Sequence, residues 1–251
     1  NHTMTLPIPQ SDRFYAIWKP LLFFVNWQRQ LAPALLDADP GTKLNLPDVF
    51  KIRQAIWEDE TLLDAFVAQN PAQLSAEDLD LATSWKHRRA GKFFIFKHLK
   101  KHSIFIDSDG GEVFAVKGLY TAIEDVVGPY LPVLVDAVLL PFGDDIIYDG
   151  LMQPYDVSFG SGIRGNLKAT YDDAKERGAI ITTLTPPGEP TSPVDQAAKA
   201  AATNAKVLQA FQKRLYQSGQ SANLVGRDLE TVTAFARQVL PISLRDVTED
   251  S

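Results

Sequence analysis

The spacing of apolar positions along the chain changes near residue 92. From residue 14 to 86 the apolar side chains recur at helical rather than alternating intervals. RFYAIWKPLLFFVNWQRQLA is a helix that Pro20 should start or kink. Its dense aromatics, Phe14, Tyr15, Trp18, Phe23, Phe24 and Trp27, are expected in the core, with a ligand-stacking wall as the alternative. LPDVFKIRQAIWEDETLLDAFVAQNP supplies one or two further helices ending near Asn70-Pro71. LSAEDLDLATSWKHRRAG opens with Ser75 and Asp78 at capping-box spacing and closes on basic residues and Gly91.

From residue 92 the runs shorten and become rich in β-branched and aromatic residues. KFFIFKHL, HSIFID, EVFAVKG, LPVLVDAVLL and DIIYDGL read as strands separated by turns such as Asp109-Gly110-Gly111. YTAIEDVVG interrupts them as a short helix. After YDVSFGSGIRG come a helix, NLKATYDDAKERG, and a last strand, AIITTL. TPPGEPTSP, residues 185–193, is a proline-rich linker. A long alanine-rich helix, 194–217, follows, with Val194, Ala198, Ala201, Ala205, Leu208 and Leu215 on a seven-residue rhythm that would allow close helix packing and homo-oligomers. A second helix spans about 227–240. The expected fold class is α+β: N-terminal helices (5–90), a central curved antiparallel sheet or small partly open barrel (91–185), and a C-terminal helical pair (193–241), all three conceivably in one domain.

Composition narrows the function classes. The formal net charge of −6 argues against a general polyanion binder, while leaving room for a local basic face. With no cysteine, thiolate chemistry, disulfides and cysteine-held metals are excluded. The longest unbroken apolar run is Leu21–Val25, five residues, against about 20 for a membrane span. A cytoplasmic protein without membrane attachment is expected, and no cofactor.

The central block, LLPFGDDIIYDGL with VSFGSGIRG behind it, resembles a block in uncharacterised bacterial proteins. The likeness covers roughly residues 85–185 and carries no function with it.

Several stretches invite chemistry. Gly143-Asp144-Asp145 matches the metal-binding turn of some polymerases, so Asp144 and Asp145 are candidate metal ligands. Gly-Asp is also an ordinary hairpin pair, and that reading is preferred, with Asp149-Gly150 starting the next turn. Gly160-Ser161-Gly162-Ile163-Arg164-Gly165 is a literal G-x-G-x-x-G between an apparent strand and an apparent helix. Too few strands follow for a dinucleotide fold, so the weaker expectation is phosphate held by Gly160, Gly162, Arg164 and Gly165. Ser161 is not in a nucleophile elbow. His98 and His102 are four apart, a zinc spacing on a helix, but their segment reads as strand–turn–strand.

The run KHRRAGKFFIFKHLKKH, residues 86–102, holds seven Lys/Arg, three His and no acid, which leaves −13 on the remainder. Lys86, Arg88, Arg89, Lys92, Lys97, Lys100 and Lys101 could track phosphates while Phe93 stacks on a base. The competing expectations are a solvated rim and pairing with acidic helices that carry Glu58, Asp59 and Glu60. The sequence therefore favours a non-enzymatic binding or adaptor protein whose partner is a nucleic acid or an acidic protein. The alternative is an enzyme acting on a phosphorylated or nucleotide substrate at the Gly160–Gly165 turn.

Overall fold

Local sequence signals set the first four helices of the computed structural model, which describes residues 4–36 and 45–184. Helix α1 (Ile8–Arg29) runs through Pro20 rather than starting there, and ends on a left-handed Gln30. Helices α2 (Leu46–Glu58), α3 (Glu60–Gln69) and α4 (Ala76–Ser84) are each capped by a side chain, from Asn45, Asp59 and Ser75 respectively. The Ser75 cap accepts the Asp78 N–H at 3.2 Å, as the capping-box spacing anticipates.

The strands are β1 (Arg89–His98), β2 (Ser103–Asp107), β3 (Val113–Lys117), β4 (Val133–Phe142) and β5 (Asp145–Pro154). Helix α5 (Ile123–Val127) lies between β3 and β4, and α6 (Ser161–Glu176) follows β5. The expected strands are all present except AIITTL, which makes only one parallel bridge, Ile181 to Phe114.

The sheet closes on itself in the order β1-β2-β3-β5-β4, so it is a full barrel. Every pair is antiparallel except β3–β5, so the sheet is mixed.

Both sides of the barrel wall are buried. Phe93, Ile95, Phe105, Phe114 and Val116 belong to a core continuous with Phe14, Ile17, Trp18 and Trp85 of the helical layer. A second cluster joins Ile104, Ile106 and Val113 to Leu167, Tyr171 and Ala174, so α6 lies on the outer face of β2 and β3. The described residues all belong to one compact unit. The expected C-terminal helical pair and the alanine-rich helix 194–217 lie outside the described residues.

Two bulges redirect side chains in the barrel wall. Between Ala137↔Met152 and Leu139↔Tyr148, residues Asp149–Leu151 of β5 face one residue of β4, a kink that the left-handed Gly150 (φ 88°) accommodates. In β1 the register steps between Ile95↔Phe105 and Lys97↔Ile104, which makes Phe96 the additional residue. Among the described residues no helix is long and apolar enough to cross a membrane.

Candidate functional site

The basic run divides in two. Its first half is neutralised from within the molecule. Lys86 pairs with Asp64 and Arg89 with Glu112. Arg88 reaches Glu60 at 2.9 Å, donates to the Trp57 carbonyl at 2.8 Å and stacks over the Trp57 ring. Of the acids Glu58, Asp59 and Glu60, only Glu60 takes part, since Glu58 bonds Gln54, and Asp59 bonds Thr61 and Arg29. These cations fasten the start of β1 to α3 and to the edge of β3.

The second half is differently placed. Lys92 Nζ lies 5.3 Å from the Tyr155 ring centroid and Lys97 Nζ 5.7 Å from that of Tyr171. Lys100 and Lys101 stand exposed in the β1–β2 loop. Among the described residues no carboxylate pairs with any of these four lysines. The bulge at Phe96 turns Phe96 and Lys97 toward α6 together, which explains why both meet Tyr171.

The aromatic part of the expectation is corrected. Phe93 is 2% exposed, packed inside the barrel at 5.9 Å from Phe114, so its ring cannot stack on a base. Phe94 and Phe96 face outward but meet Phe159 and Tyr171. The outer face of β2 and β3 lies under α6. The accessible part of the basic run is therefore the outer side of β1 at Lys92 and Lys97 and the loop after it.

That loop converges with the β4–β5 turn, although the sequence suggests two separate candidates. Lys101, His102, Lys117, Asp144, Asp145 and Thr182 line a cavity of about 230 Å³ at the barrel mouth. The turn is a two-residue hairpin, Gly143-Asp144, with Gly143 left-handed at φ 59°. Asp145 is engaged by Lys117 Nζ at 2.9 Å. Lys117 is not apparent from sequence, where a lone lysine at a strand end gives no signal. Among the described residues no group of three or more His, Asp or Glu side chains is arranged to hold a metal ion.

The histidines also separate. His98 Nδ1 sits 2.8 Å from Ser103 Oγ, and burial lowers its pKa against the opposing influence of Glu124 and the Gly128 backbone. His102 is likewise lowered, by burial and then by Lys117 and Lys101, with Asp145 acting the other way.

The third aspartate has a structural task. Asp149 does not start a turn: it is fully buried inside β5. Arg53 Nε donates to it at 2.6 Å, Trp57 Nε1 at 2.9 Å and the Leu151 N–H at 3.2 Å. Burial raises its pKa, opposed by Arg53, Trp57 and Leu151. The bulge directs this carboxylate into α2, which is thereby fixed to the barrel.

The glycine turn lacks the context that its motif needs. Strand β5 stops at Pro154, and residues 155–160 form no strand. Gly160, Gly162 and Gly165 are exposed at the start of α6, and Arg164 Nε donates to the Phe159 carbonyl at 3.1 Å. The Arg164 guanidinium is thereby held one residue before Gly160, the N-cap of α6.

No family model, curated protein or solved structure matches this chain.

Proposed function

We propose that the protein is a binding module for single-stranded nucleic acid, meeting the phosphate backbone through Lys92, Lys97, Lys100 and Lys101. The observation that carries this reading is the division of the basic run. Three cations are matched by Glu60, Asp64 and Glu112, while the four lysines from residue 92 onward have no carboxylate partner among the described residues. The barrel topology supports the reading by analogy of fold only. With Phe93 inside the barrel and the β2–β3 face covered, binding rests on charge rather than on stacking, and sequence preference should be weak.

Fluorescence anisotropy with a labelled single-stranded oligonucleotide at low ionic strength tests the proposal. The expected result is binding whose log K falls with log salt at roughly −0.7 per neutralised phosphate. Absence of binding at low salt would refute it and would leave the lysines as a solvated rim.

A further inference from the structure

A second concave site lies on the helical layer, away from the basic edge. A groove of about 700 Å³ runs along α1, lined by Pro20, Phe23, Trp27, Leu36 and Pro71 among others. Its volume is in the range of small-molecule pockets, which span about 300–1,000 Å³. The aromatic-rich α1 segment has thus divided. Phe14, Trp18 and Phe24 are buried, whereas Trp27 is 66% exposed and Tyr15 and Phe23 are half-buried along the groove. So much apolar area left open on one helix marks a binding surface rather than incomplete packing.

One polar feature marks the groove. Lys19 lines it, with Nζ 6.0 Å from the Tyr15 ring centroid, and no carboxylate of the described residues pairs with it. The Asn26 side chain is occupied, since it exchanges hydrogen bonds with the Ala32 backbone at 2.8 and 3.0 Å. An unmatched cation lining an apolar trough is complementary to an anionic head on a hydrocarbon tail.

We infer that the α1 groove binds a single-chain amphiphile with an anionic head, its tail along Phe23 and Trp27 and its head at Lys19. The site is independent of the nucleic-acid reading, and neither stands or falls with the other.

Isothermal titration of the full chain with tetradecanoate, below its micelle concentration, tests this against 1-tetradecanol and a tetradecyl trimethylammonium salt. Saturable one-to-one binding is expected, tightest for the carboxylate and weakest for the cation. Lys19→Gln should weaken the carboxylate about fivefold, the upper end for a partly exposed ion pair, and leave the alcohol unchanged. Ala16→Phe, at an exposed position of α1, should fill the groove and remove binding of carboxylate and alcohol together, with an unchanged melting curve. The inference is overturned by absence of saturable binding, by binding that survives Ala16→Phe, or by equal affinity for the three head groups.

Discussion

Removal of the Asp149 carboxylate is the perturbation with the largest predicted effect on stability. Asp149→Asn leaves Arg53, only 11% exposed at its side chain, as a buried cation without a counter-charge. It also weakens the hydrogen bonds from Trp57 and Leu151. Breaking one side of a buried ion pair typically costs about 3–5 kcal/mol. Arg53→Met should cost less, because the stranded carboxyl has an escape that a guanidinium lacks: it can take up a proton. Burial already raises the Asp149 pKa, and loss of Arg53 removes the strongest opposing influence. A carboxyl whose folded pKa lies above its unfolded value stabilises fully below the unfolded value and loses that contribution as pH rises through the folded one. Arg53→Met should therefore regain stability as pH falls from 7 toward 5, contrary to ordinary acid denaturation. The double variant Arg53→Met, Asp149→Leu should cost well below the sum of the singles. Urea unfolding of all four proteins at pH 7 and pH 5 measures this. An Asp149→Asn cost under about 1 kcal/mol, within the range of an exposed pair, or additive singles, would refute the buried tether.

Three further outcomes are expected. Phe93→Ala should destabilise by about 3–5 kcal/mol, as a truncated core aromatic does, while any folded fraction keeps the wild-type salt slope for oligonucleotide binding; an unchanged urea midpoint would contradict its interior position. His98 and His102 have folded pKa values below their unfolded ones, so their contribution is present above about pH 6.5 and is lost as pH falls through the folded values. Urea midpoints between pH 7 and 5 should drop, less steeply in a His98→Gln, His102→Gln variant. Gly150→Ala should cost about 1–3 kcal/mol, because its left-handed backbone disfavours a side chain, while the new methyl would make only ordinary contacts with Leu119 and Tyr15 at 3.6 Å; a neutral result in thermal melts would show the bulge is relaxed.

The strands were legible because short β-branched and aromatic runs between turn residues leave few alternatives, and the Gly143-Asp144 hairpin because its chemistry is local. Barrel closure was not, since it rests on a β3–β5 ladder of only two residue pairs between distant segments. Phe93 was misplaced because KFFIFK does not alternate: its inner face fills the barrel and its outer face lies under α6. The signal for that cover was present in α6 itself, where Leu167, Tyr171 and Ala174 recur at helical spacing and must bury against something. Asp149 was misread for a different reason. Asp-Gly usually opens a turn, but here it forms a bulge whose partner Arg53 lies 96 residues earlier. Which half of the basic run is neutralised was equally illegible, as Asp64 and Glu112 reach their partners only in the folded chain.

The central claim, that the four lysines from residue 92 onward form the anion-binding edge, is tested by one salt titration on three proteins. The first is the wild type, and the second carries Lys92→Gln, Lys97→Gln, Lys100→Gln and Lys101→Gln. The third removes two paired cations with their acids, Lys86→Gln with Asp64→Asn and Arg89→Gln with Glu112→Gln, so its net charge is unchanged. In the second protein the slope of log K against log salt for a single-stranded oligonucleotide should flatten by up to about 0.7 for each phosphate no longer neutralised. In the third it should stay at the wild-type value. Equal slopes in all three, or flattening in the third instead of the second, would contradict the account.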